Sequence, residues 1–213
     1  MKMKLSLVSA SIVAALASAA NANVLVNPGF ESGAGYGAAG WTTFGNGFTE
    51  VAAPPAIVPQ SGNGVAKMFG GFTGGFSVSG MFQEFPTAPG EMWSMSVASR
   101  HFSGDAMLGG GAPTSNWAVM KLAFFDAANV ELGFAAVEAT VLNGTFATDV
   151  WHQNGPISGA APAGAVKVQT FLLYLAPGND GGAAQFDDAV VIPAPGAAAL
   201  LGVAGLFASR RRR

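Results

Sequence analysis

Between residues 23 and 192 the chain is cut by Gly, Pro and Asn into short apolar runs, and punctuation that dense leaves no room for long helices. Strand-like runs of about five to eleven residues recur between turn signals. The expected strands are Val24–Val26, Gly64–Phe69, Ser77–Phe85, Met92–Phe102, Asn116–Asp126, Glu131–Glu138, Thr148–Asn154, Ala165–Leu175 and Ala184–Ile192. Turn signals separate them at Pro86–Gly90, Gly104–Thr114, Ala127–Asn129, Gly155–Gly164 and Pro177–Gly182. No window carries the i, i+3, i+4, i+7 spacing with cap signals over more than a few residues. The pattern is that of an all-β sandwich.

Alternation assigns faces to two of these runs. Trp93, Met95 and Val97 point one way and Ser94, Ser96 and Ala98 the other. In the run from Val166, the set Lys167, Gln169, Phe171, Leu173 opposes Val166, Val168, Thr170, Leu172, and the strand becomes apolar on both faces, as expected of one that is central or covered. Phe69-Gly-Gly-Phe-Thr-Gly-Gly-Phe76 reads as a flexible connection bearing aromatic rings.

Both ends of the chain carry addresses. Met1-Lys-Met-Lys4 is a basic start, Leu5 to Ala17 is apolar, and Ala20-Asn-Ala22 is a small-x-small cleavage site that would leave Asn23 first. At the other end stand Pro193-Ala-Pro195, an apolar stretch from Ala197 to Ala208, and Arg210, Arg211, Arg212 and Arg213. Twelve residues of helix span roughly 18 Å, well short of a hydrocarbon core of roughly 30 Å. The arginines would hold that end in the cytoplasm while the remainder is exported, so the membrane association is transient. This three-part layout resembles the PEP-CTERM sorting signal, with Ala194 where the family name implies Glu. The resemblance implies the export machinery and an exosortase-like membrane protease as partners, and a bacterial cell surface, outer envelope or extracellular matrix as destination.

Without the two addresses the domain keeps Lys67, Arg100, Lys121 and Lys167 against all twelve acidic residues, a net charge of −8. Nucleic acid, bound through basic side chains on phosphates, is excluded as a partner. The chain has no cysteine, so an exported domain must be held by its core, by a metal, or by both.

Several strings, in order, resemble carbohydrate-binding modules of the galactose-binding-like jelly-roll type. They are Leu25-Val-Asn-Pro-Gly-Phe-Glu-Ser-Gly33, Pro59-Gln-Ser-Gly-Asn-Gly-Val-Ala-Lys67, Gln83 with Pro89-Gly90 and the strand after it, Trp151 with Ala161-Pro-Ala-Gly164, and Gly181-Gly-Ala-Ala-Gln-Phe-Asp-Asp-Ala-Val190. The resemblance covers nearly all of residues 23–192. It implies a jelly roll in which the opening loop and closing strand hold a structural calcium ion, with Glu31 and Asp187 or Asp188 as side-chain ligands and the Ser61–Asn63 turn lending carbonyls.

From the residues themselves, an extended Phe186-Asp-Asp-Ala-Val190 puts Asp188 on the apolar face with Phe186, Val190 and Ile192, where a carboxylate needs a partner; Asp187 points the other way. Sugar rings stack on Trp and Tyr while amides and charges bond the hydroxyls. Trp41, Trp117, Tyr36 and Tyr174, with Gln83, Arg100, Lys121 and Gln169, are the candidates for a ligand face, and Trp93 and Trp151 are assigned to the core. His101 and His152 sit in no nucleophile-elbow or metalloprotease spacing, and no pair of carboxylates is placed for glycoside hydrolysis.

The expected architecture is therefore a signal-peptide helix (1–22), a jelly-roll β-sandwich (23–192) and a sorting signal with a short hydrophobic helix (193–213). The expected function is non-catalytic binding of extracellular polysaccharide or a glycosylated matrix; the alternative is a structural matrix or adhesion protein with no sugar site.

Overall fold

The computed structural model describes residues 22–33, 38–178 and 180–194. The N-terminal address through Ala20, and Pro195 with the apolar stretch and arginines after it, lie outside the described residues. Ten strands form two antiparallel five-stranded sheets. Sheet I has the order β1 (Thr42–Phe44), β4 (Ser77–Pro86), β9 (Lys167–Ala176), β6 (Trp117–Phe125), β7 (Val137–Asn143), and sheet II the order β2 (Asn46–Val51), β3 (Gly64–Phe69), β10 (Ala183–Ala194), β5 (Met92–Arg100), β8 (His152–Ala160). Among the described residues helix is confined to two 3-10 turns, Ser103–Asp105 and Gly133–Ala135. The all-β sandwich expected from the punctuation, and the jelly roll that the resemblance implied, is what forms.

Period-two patterning builds the core. Along β9, Val168, Thr170, Leu172, Tyr174 and Ala176 are buried between the sheets, while Lys167, Gln169, Phe171, Leu173 and Leu175 face outward and remain half-covered. From sheet II, Trp93, Met95 and Phe186 meet them, and five methionines, Met68, Met81, Met95, Met107 and Met120, are fully buried. Burial of each such side chain stabilises by about 1.5–3 kcal/mol, and the unbranched thioether adapts to irregular gaps.

The chain enters through a polar clamp instead of a regular strand. Val24–Val26 was expected to pair, and Val24 N does donate to Val191 O at 3.0 Å. The remainder is held by side chains: Asn23 Oδ1 accepts from Leu25 N and Val191 N, and Gln83 grips Val26 through both its carbonyl and its amide.

Five elements differ from the sequence expectation. β1 and β2 have no counterpart among the expected strands; between them Gly45, at φ 61°, moves the chain from one sheet to the other. Of the expected Glu131–Glu138 strand, Glu131 pairs as an isolated bridge to Phe125 and Val137 and Glu138 pair with Leu122 and Lys121, because the strand itself begins at Val137. β8 continues through Gly155-Pro156, which read as a turn, because it is an edge strand of sheet II with a register shift opposite Met95 and Val97. Proline is tolerated there, where its missing N–H faces away from the ladder. The closing strand also runs through Pro193 and Ala194, paired with Trp93 and Met92.

Candidate functional site

The two sheets present very different outer faces. Across sheet II lies a strap, residues 52–63, pinned along its length. Arg100 Nη1 donates to Ala56 O at 3.0 Å and to Gln185 Oε1 at 2.8 Å, and its Nη2 donates to Pro55 O and Asp149 Oδ1. Gln185 Nε2 donates to Ala56 O and Trp151 Nε1 to Val58 O. The Asp149 carboxyl, accepting from Ser103 and facing Arg100, is held below its ordinary value. Trp151 is thus half-buried against the strap, not in the core as expected.

The far end of the strap closes over three carboxylates. Asp187 Oδ2 accepts from Gln60 N at 2.8 Å and Ser61 N at 3.1 Å, and its Oδ1 accepts from Asp188 N. Asp188 Oδ1 accepts from Ser61 Oγ, and Glu31 accepts from Asn63 N and Gly64 N. A β-carbon placed on Gly29 would lie 3.6 Å from Asp187 Oδ1, 3.7 Å from Glu31 Oε1 and 3.8 Å from Asp188 Oδ1, so the three groups converge on the opening loop. None of the ion pairs among the described residues reaches them. Burial pushes the Asp187 carboxyl up to about 6 against the backbone N–H bonds that pull it down.

Here the sequence chose the wrong aspartate for burial. Asp187 is fully buried because the strap folds over it through Gln60 and Ser61, and Asp188 is half-exposed because a bulge between Asp187 and Val190, with Asp188 at φ 48°, adds a residue to β10. The extra residue reverses the alternation, so that Ala189 and Val191 follow Phe186 into the core.

The donors are hard oxygens of the kind calcium takes. Among the described residues, however, no group of three or more His, Cys, Asp and Glu side chains is drawn together tightly enough to hold a metal as it stands. The carboxylates are spread onto backbone N–H groups instead. Beside them a small pocket of about 80 Å³ is lined by Phe30, Glu31, Gly33, Glu50, Val51, Asn63 and Gly64.

Among the described residues no strap covers sheet I. Its outer face carries Phe82 and Phe171, rings 5.2 Å apart, and Phe44, whose ring tip approaches Gly80 so closely that a β-carbon there would lie 2.7 Å from its Cζ. At one end Trp117 meets Phe76, with centroids 6.4 Å apart and Phe76 61% exposed. At the other, Lys167 pairs with Glu84 at 2.7 Å and lies over the Phe125 ring, and Gln169 donates to the same carboxylate. Those bonds hold the Glu84 carboxyl below its ordinary value. Lys121 pairs with Glu131 at 2.7 Å.

Solved structures share this architecture. The carbohydrate-binding module TmCBM61, in complex with β-1,4-galactotriose, is 16% identical, with 80% of this chain and 98% of that one covered at a TM-score of 0.50. The fold is the jelly roll of such modules. An apo cyclase from Fischerella sp. shares it at 14% identity, 84% and 98% coverage and a TM-score of 0.56. So does part of the MgGH51 α-L-arabinofuranosidase, at 17% identity and a TM-score of 0.53, with 81% of this chain and 26% of that one covered. No family model and no curated protein sequence matches the chain.

Seen on this jelly roll, the expected ligand residues divide. Trp117, Lys121 and Gln169 share the outer face of sheet I. Trp41 does not join them: it is 7% exposed, tilted on Phe30 at 5.3 Å, with its indole N–H on Asn27 O. Gln83 and Arg100 are also buried and spent on internal bonds. Tyr174 is fully buried, donating to Gly182 O and accepting from Asn116. Tyr36 lies outside the described residues. Phe44, Phe76, Phe82 and Phe171 were missed, since in the sequence a phenylalanine on a strand reads as core; the parity of Gln169 and Phe171 in β9 was the available signal.

Proposed function

We propose that the chain is a non-catalytic saccharide-binding module, exported and sorted to the cell surface, whose ligand lies on the outer face of sheet I. The observation that carries this is the asymmetry of the faces: a strap lies across one, over Arg100, Gln185 and Asp187, while the other offers Trp117, Phe76, Phe82 and Phe171 beside Lys121, Gln169 and Glu84. Apolar ring faces stack on such aromatics while the charged and amide groups take hydroxyls. The ligand class is an extracellular polysaccharide or a glycosylated matrix.

Calcium has a structural role in this reading. Glu31, Asp187 and Asp188 would turn from backbone N–H groups to the ion, which would neutralise three converging charges and tie the opening loop, the strap and β10 together. In the sorting reading, β10 leads from the sandwich straight into the C-terminal signal, with Pro193 and Ala194 still paired. The competing reading is a structural matrix or adhesion protein, favoured by the closure of Lys121 and Lys167 into 2.7 Å ion pairs.

Binding of the purified chain to an array of bacterial and plant polysaccharides, in calcium and in chelator, tests the proposal. Saturable binding that falls at least about tenfold in Trp117→Ala, with an unchanged melting midpoint, is the expected result; loss of one stacked ring at about 1.4 kcal/mol gives that factor. Binding indifferent to Trp117→Ala removes this face from consideration, and no binding at all turns attention to protein partners.

A further inference from the structure

The loop between β3 and β4 sends one phenylalanine to each flank of the sandwich. Its base is anchored, since Asn46 Nδ2 donates to Gly70 O at 2.9 Å and Gly71 N donates to Ser77 Oγ at 3.0 Å. Phe76 reaches Trp117 on the sheet I side. Phe72 turns the other way, 6.2 Å from Phe69, which stands on the outer face of sheet II and meets Phe48 edge-on at 5.7 Å. Phe72 is 52% exposed and sits at φ 52°, a left-handed conformation that a side-chain-bearing residue adopts at a cost. The ring is therefore displayed at a strained position and not folded into the core.

Two residues before Phe69 on the same face stands Lys67. Its ammonium lies 3.7 Å from Glu50 Oε1 and 3.6 Å from Asp105 Oδ2, outside hydrogen-bond length, whereas the lysines of sheet I close on their carboxylates at 2.7 Å. An ammonium held between two carboxylates with such gaps suits hydroxyl groups, because a hydroxyl both donates and accepts and can bridge the two charges. An exposed ring next to an open set of one cation and two anions matches the two aspects of a sugar, its apolar face and its hydroxyls.

We propose that Phe72 and Phe69, with Lys67, Glu50 and Asp105, form a second saccharide subsite, facing away from the first. The proposal rests on the saccharide-binding reading of the chain. Phe72 and Phe76 are four residues apart, so at most about 14 Å of chain separates the two platforms. One molecule therefore joins two glycan strands across one end of its sandwich, and its affinity for a polymer exceeds that of either platform alone.

The test uses the full chain, wild type and with Phe72→Ala, Lys67→Met or Trp117→Ala, against β-1,4-galactan, xylan, arabinan and β-1,4-galactotriose. Affinity is read by calorimetry and cross-linking by turbidity of the polymer solutions. The expected result is that Phe72→Ala and Lys67→Met each lower polymer affinity at least tenfold and abolish turbidity, with melting midpoints unchanged. Each variant then still binds through the Trp117 platform at half the wild-type stoichiometry. If a polymer weakened by Trp117→Ala is bound equally by wild type and Phe72→Ala, the second subsite is refuted and the first stands. Sensitivity to Phe72→Ala without sensitivity to Lys67→Met refutes it too, as a plain apolar contact. If none of the four probes binds, this proposal and the reading beneath it fall together.

Discussion

Two buried titratable residues give this domain opposite responses to acid. His101 is fully buried, with Nδ1 accepting from Met107 N and Nε2 donating to Phe146 O, so a second ring proton would oppose a backbone N–H. Burial lowers it from its ordinary 6.5. The unfolded chain then takes up a proton at higher pH than the folded one, and stability is lost as pH falls below about 6.5. Asp187 is raised from 3.8 to about 6, so the folded chain binds that proton first and acidification between about 6 and 4 stabilises. In chelator, as the pH drops from 7 to 5, the melting midpoint of Asp187→Asn should fall and that of His101→Gln should rise. Parallel profiles for the two variants would refute the assignment. At this scale the sequence showed that Phe186-Asp-Asp contains a carboxylate needing a partner, but which of the two depended on a bulge that no alternation pattern announces.

Among the elements, the strap 52–63 organises the sheet II face and was invisible in the sequence, since nothing within residues 52–63 names the groups that hold it. Its anchors lie far along the chain, at Arg100, Trp151, Gln185 and Asp187. Arg100 reads in isolation as a ligand-binding charge; its burial at 3% exposure follows from the carbonyls of residues 55 and 56 folding over it. Arg100→Ala leaves those carbonyls and Gln185 Oε1 without their donor and should cost about 2–4 kcal/mol. Limited proteolysis would then cut first within residues 52–60, earlier than in wild type; an unchanged cleavage pattern would mean the strap is held without Arg100. The regular strands were far more legible, β3 to the residue and β4, β5, β6 and β9 within one or two, because local alternation and turn residues define them. β1, β2, β7 and β8 were blurred where Gly or Pro serves a corner or an edge instead of a turn.

For the whole molecule, the absence of cysteine leaves the Met-rich core to hold the two sheets together, while the Glu31–Asp187–Asp188 cluster fastens the strap to the opening loop and β10. If calcium binds there, a concentration one hundredfold above its dissociation constant adds about 2.7 kcal/mol. In a domain of this size that is a rise of roughly 5–10 °C in melting midpoint, absent in Glu31→Gln. A midpoint equal in chelator and in millimolar calcium would exclude the structural role. The sequence by itself determined the all-β sandwich, the acidity of the domain and the position of a carboxylate-bearing closing strand, since these depend on composition, local periodicity and turn chemistry. Only the tertiary structure decided which outer face is open, that Trp41, Gln83 and Arg100 are internal while Trp117 and Phe76 are not, and which aspartate is buried. Those outcomes depend on contacts between residues as far apart as 60 and 187, and no short window of sequence contains both partners.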